Sequence, residues 1–172
     1  MFDLPQIAVS NDKGRIYRVR YAANPLLPKD DLSRKTGAEL VELLGHDNGW
    51  HRETARRILV ERKLDGQKDV LVKLVTDAST PRDKRLGALY ALASTREVPE
   101  AQSRLWIDDA DPTVRAWVVR YYGSLKGDAT PRMAARVAQQ ASDANPDVAL
   151  QAAIALGKFP KQDPLPGWSV IL

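Results

Sequence analysis

From Ser33 onward the apolar residues recur at helical spacing. Ala38, Leu40, Val41, Leu43 and Leu44 form one apolar face that ends at Gly45. Further on, Thr80-Pro81, Asp111-Pro112, Thr130-Pro131 and Asn145-Pro146 each set a capping side chain directly before a proline. The cap oxygen accepts from an amide that the helix leaves unpaired, and proline at the first helical position gives up no hydrogen bond. The pattern predicts eight helices in four hairpins: 36–45 with 49–64, 67–78 with 81–95, 98–108 with 112–125, and 131–142 with 146–158.

The second helices of these hairpins share a register. Arg52, Arg85, Arg115 and Ala149 occupy one position near their starts, spaced by 33, 30 and 34 residues. Three residues later stand Ala55, Ala88, Val118 and Ala152, and seven later Leu59, Leu92, Tyr122 and Leu156. A period in the low thirties with two helices per period marks an α-solenoid, in which hairpins too thin to bury their own apolar faces stack on one another. The expected fold is therefore all-α: a right-handed α-solenoid of about four helical hairpins over residues 35–160.

The two ends read differently. Arg15 to Tyr21 alternates with period two and follows the turn-forming Ser10 to Gly14, which predicts a β-hairpin with Ile7 to Val9. Ala22 to Leu32, with Pro25 and Pro28, reads as an extended linker, so residues 1–34 are expected to form an N-terminal hairpin or extended arm. Residues 161–172, with Pro164, Pro166 and Trp168, read as a tail able to cover the last hairpin.

Two resemblances follow from particular segments. Asp-Pro-Thr-Val-Arg at 111–115, Asn-Pro-Asp-Val at 145–148 and the recurring arginine resemble HEAT repeats. That resemblance implies that Arg52, Arg85 and Arg115 form a structural ladder with aspartates of neighbouring turns, for which Asp47, Asp77, Asp109 or Asp111, and Asp143 are candidates. The stretch from Gly14 to Arg62 carries Gly-Arg-Ile-Tyr-Arg-Val, then Glu39 to Trp50, then Arg52 to Arg62. It resembles the large exported haem-binding, membrane-bound dehydrogenase-type or CxxCH proteins of planctomycetes. There a sorbosone-dehydrogenase-like β-propeller ends and HEAT repeats begin. The resemblance implies a fragment of a larger bacterial, exported redox protein, hence a periplasmic or exported location. The redox chemistry of that family belongs to the propeller, of which residues 1–34 would be a remnant, and to a haem domain, so the resemblance carries it onto no residue of this chain.

Candidate chemistry is sparse. His46 and His51 are the only histidines, five apart across a turn, and a metal site there would need carboxylates to complete it. The favoured reading is a capping turn with Trp50 stapling the helix entry into the core. Asp108, Asp109 and Asp111 fall in an inter-helix turn, where a solvated or ladder role outweighs catalysis. No phosphate loop, GxSxG or nucleophile–base pair stands in the sequence, so no catalytic residue, metal or cofactor is expected and the chain is not read as an enzyme. One surface remains. Arg57, Tyr90, Arg120 and Ile154 lie five residues after the register position, and Thr54, Gly87, Trp117 and Gln151 two after it. These positions are neighbours on one helical face. If the second helices line the concave side, Arg57, Tyr90, Trp117 and Arg120 form a basic and aromatic stripe for an acidic partner, a peptide or nucleic acid.

Composition narrows the options. Zero cysteines among 172 residues exclude disulfides, Cys-ligated zinc and a CxxCH haem attachment within the chain. Net charge is +4, which permits an acidic partner and falls short of a nucleic-acid signature. No apolar run approaches the ~20 residues that cross a bilayer, so no membrane insertion is expected. Phe2 to Val9 is broken by Asp3 and Pro5 and lacks the basic start of a secretory signal, which would then lie upstream. The expected function is a non-catalytic interaction or scaffold module that binds protein. The alternative is a nucleic-acid-binding protein of the DNA-glycosylase-like type, whose chemistry would want a carboxylate on the concave face, where only Glu61 is near.

Overall fold

In a computed structural model, which describes residues 30–159, the Asp111 side chain accepts from the Thr113 amide, Thr130 from that of Met133, and Asn145 from those of Asp147 and Val148. Three of the four prolines thus open helices as expected. Thr80 does not cap. Its hydroxyl donates to the Asp77 carboxylate, which also accepts from the Ser79 amide and hydroxyl. The helix therefore starts one residue late, at Arg82, with Pro81 as its flanking residue and no side-chain cap.

Among the described residues there are eight α-helices and no strand. They are α1 (Gly37–Leu43), α2 (Gly49–Glu61), α3 (Lys68–Thr76), α4 (Arg82–Ser94), α5 (Glu100–Trp106), α6 (Pro112–Leu125), α7 (Pro131–Gln139) and α8 (Pro146–Leu156). Each odd-numbered helix packs on the even-numbered one that follows it, and α2 packs beside α4 and α6 beside α8. The β-hairpin and the tail expected at the two ends lie outside the described residues. The described residues from Asp31 onward belong to one compact unit. Leu32, in a short 3-10 turn, is buried with the helical core.

The register holds at the core. Ala55, Ala88, Val118 and Ala152 are fully buried, and Leu59, Leu92, Tyr122 and Leu156 nearly so. Small residues three positions after the register point let neighbouring helices approach, while the larger ones one turn on fill the interior. Tyr122 is the polar exception, and its hydroxyl meets that of Ser103 at 2.6 Å, so neither is buried unsatisfied. Between α2 and α3, Lys63, Leu64 and Asp65 all take left-handed backbone angles, with φ of 50°, 65° and 50°, ahead of Gly66. Such a run is costly for residues with a Cβ. Burial of Leu64 in the core opposes that cost.

The register arginines tie the turns together, in an arrangement the sequence resolves only in part. The Arg115 guanidinium donates to the Asp109 and Ala110 carbonyls of its own turn and, through Nε and an Nη, to both oxygens of Asp143 at 2.8 Å. Arg85 donates to the Val75 carbonyl and to the carboxylate of Asp109. Both arginines thus bind main-chain carbonyls of their own hairpin and a carboxylate of the next. The Arg115 bond holds the Asp143 carboxyl below its ordinary value of 3.8, against the opposing effect of burial.

Two expectations are corrected at the N-terminal end. Arg52 does not pair with the Asp47 carboxylate. It donates to the His46 and Asp47 carbonyls, and its nearest carboxylate is that of Asp83 at 3.8 Å. An arginine in the second turn of a helix folds back on the carbonyls of the preceding loop, and its remaining donors point onward along the stack, away from Asp47. Trp50 is not in the core: it is 55% exposed, with its ring perpendicular to that of His51. A staple joins the residue before the cap to the fourth helical residue. With Asn48 as cap, those positions are Asp47 and Arg52, so Trp50 is at neither. Its register equivalents, Asp83, Thr113 and Asp147, are polar surface positions.

Candidate functional site

The rings of Tyr90 on α4 and Trp117 on α6 meet with centroids 4.4 Å apart, tilted by 55°. Arg120, one turn beyond Trp117, lays its guanidinium 4.8 Å from the centre of the Trp117 ring. Three of the four residues expected to form a stripe therefore come together. The fourth does not. Arg57 is exposed and pairs with Glu61 one turn further along α2, at 3.2 Å. Its neighbour Arg56 takes the place facing α4, with its guanidinium 5.8 Å from the Tyr90 ring and an ion pair to Glu53. Adjacent helical residues point about 100° apart. The register of α2 holds at Ala55 and Leu59, so the α2 residue turned toward Tyr90 is the one before the expected position.

Two hollows flank Trp117. The first, about 330 Å³, opens between α4 and α6 and reaches α2; Glu53, Arg56, Tyr90, Ala93, Trp117 and Tyr121 are among its walls. The second, about 250 Å³, lies between α6 and α8 and is bounded by Thr113, Ala116, Gln151 and Asp147 as well as by Trp117 and Arg120. Trp117 and Arg120 belong to both, so the stacked pair is the partition between two open depressions. Glu53 and Tyr121 were not singled out in the sequence. The only local signal for Glu53 is its spacing of three from Arg56.

Two neutral phenols face this surface. Burial raises the Tyr90 and Tyr121 phenols above their ordinary value of 10.0, so both are neutral, hydrogen-bonding hydroxyls at physiological pH. The histidines lie elsewhere. His46 and His51 stack at 4.3 Å, and His46 Nδ1 accepts from the Asn48 amide, which gives His46 a role in the turn before α2. Asp108 binds Arg136 and Gln140, and Asp109 and Asp111 accept from the amides of Asp111 and Thr113, so the acidic turn is bound up in the fold. Among the described residues no group of three or more His, Cys, Asp or Glu is placed to hold a metal ion, and no helix is long and apolar enough to cross a membrane. No protein family, curated protein or solved structure matches the chain.

Proposed function

We propose that this chain is a non-catalytic interaction module: a HEAT-type α-solenoid whose second helices present a binding face to a protein partner, within a larger exported redox protein. The observation that carries the reading is the open aromatic and arginine surface of Tyr90, Trp117 and Arg120, on helices whose other faces are committed to the core. Aromatic and arginine side chains dominate protein-binding surfaces, because each offers large contact area together with a polar edge. The similarity of residues 14–62 to the junction after a β-propeller supports the placement in a larger redox protein.

Charge speaks against the nucleic-acid alternative. Residues 30–159 hold 20 Lys and Arg against 19 Asp and Glu, and Glu53 and Asp147 border the two hollows. A phosphate backbone needs an uncompensated basic face. The test is a photo-crosslinking residue placed at Tyr90 and, separately, at Leu105, an exposed position on α5. Protein adducts from position 90 that are absent from position 105 are expected. Equal yields at both positions, or nuclease-sensitive adducts, would overturn the reading.

A further inference from the structure

The arginines of the described residues divide unequally. Eleven of the thirteen are ion-paired: 34, 52, 56, 57, 62, 82, 85, 96, 104, 115 and 136. Arg120 and Arg132 have no ion pair among the described residues. Arg132 is exposed in the first turn of α7. Arg120 alone is both unpaired and held in place, by its stack on Trp117 beside the larger hollow. A guanidinium stacks through its face and hydrogen-bonds through its edges, and the two uses do not compete. Its contact with Trp117 therefore keeps the Arg120 guanidinium at the wall of the groove, with no hydrogen bond or ion pair to another described residue, and its N–H groups can donate to a carboxylate in a forked pair.

Resting on the interaction-module reading, we infer that the groove between α4 and α6 binds an extended protein segment carrying a single carboxylate among apolar residues. The carboxylate pairs with Arg120, and an adjacent leucine-sized side chain enters the 330 Å³ hollow against Tyr90, Trp117 and Tyr121. Two features limit the acidic content to one group. Arg56 is already paired with Glu53 inside the same hollow, and Asp147 stands in the hollow on the other side of Arg120. A run of acidic residues would meet both carboxylates, and like charges at such distances repel.

The test uses the full chain and two blocked pentapeptides, Pro-Leu-Glu-Leu-Pro and its Gln counterpart, with the Trp117 indole resonance followed by NMR. The Glu peptide is expected to bind at least tenfold more tightly. Arg120→Gln should abolish that preference, and Arg132→Gln should keep it. Arg120→Glu should reverse it in favour of a Lys-containing peptide. Because Arg120 is exposed, these variants should fold, and circular dichroism checks that they do. Equal affinity for both peptides, a preference that survives Arg120→Gln, or no shift at Trp117 with either peptide would overturn the inference. Each of those results leaves the broader reading standing if position 90 still crosslinks to protein. Loss of the crosslinks as well would remove both.

Discussion

The seam between α6 and α8 and the seam between α4 and α6 share one register and have opposite character. In the first, a Cβ added to Gly123 would lie 2.6 Å from the Cβ of Ala155, so the helices touch almost at their backbones. In the second, the position equivalent to Gly123 is Ala93, which borders an open hollow, and the helices meet through the rings of Tyr90 and Trp117. Small residues close a seam, and two large rings on facing helices hold it apart. The proposed binding surface is thus the place where close helix packing stops. What fastens the open seam is at its end, where Arg85 on α4 reaches Asp109 in the turn before α6 with both side chains almost fully buried.

That contrast can be broken first at its fastening. Arg85→Met should cost about 3–4 kcal/mol, because it leaves the Asp109 carboxylate and the Val75 carbonyl without their buried donor. Arg52→Met, whose carboxylate contact is long and whose partner Asp83 is two-thirds exposed, should cost less than about 1 kcal/mol. Urea unfolding midpoints compare the two, and equal losses would mean that the Arg85 pair does not fasten the open seam.

The packing half of the comparison is sharpened by the pair Gly123→Leu and Ala93→Leu. The first forces α6 from α8 and should destabilise by about 3 kcal/mol. The second adds atoms to an existing hollow and should change stability by less than about 1 kcal/mol while filling the proposed binding groove. Similar losses in thermal unfolding would mean that the two seams are packed alike.

A smaller effect separates the seams by pH. Asp143, across the α6/α8 seam, has its carboxyl lowered chiefly by the Arg115 hydrogen bond. The unfolded chain therefore takes up that proton first. The stability this pair contributes is full above the ordinary carboxylate value of 3.8 and is lost as pH falls through the lower value of the folded state. Asp143→Asn should reduce stability at neutral pH and flatten its decline below about pH 4. An unchanged acid profile in calorimetry would show that the pair is not coupled to folding. The smallest effect is expected at Trp50→Ala, below about 1 kcal/mol, since the ring is more than half exposed. A loss of several kcal/mol in urea unfolding would return Trp50 to the core.

The sequence by itself determined the helices and their buried faces. Eight predicted segments correspond to eight observed ones, and the positions three and seven residues after the register point are buried in every second helix. Those features are local: helical periodicity, a cap oxygen within three residues, a proline that needs no donor. Even here a local rival could intervene, as when Asp77 captured the Thr80 hydroxyl and delayed α4. The tertiary structure alone decided which arginine faces Tyr90, which carboxylate each register arginine reaches, that Trp50 lies outside, and where the groove opens. Each of these depends on the distance and rotation between two helices. That distance is set by the combined volume of side chains some thirty residues apart, Gly123 with Ala155 in one seam and Tyr90 with Trp117 in the other. A periodic pattern read along one helix carries the direction of a side chain and no information about the size of what it will meet.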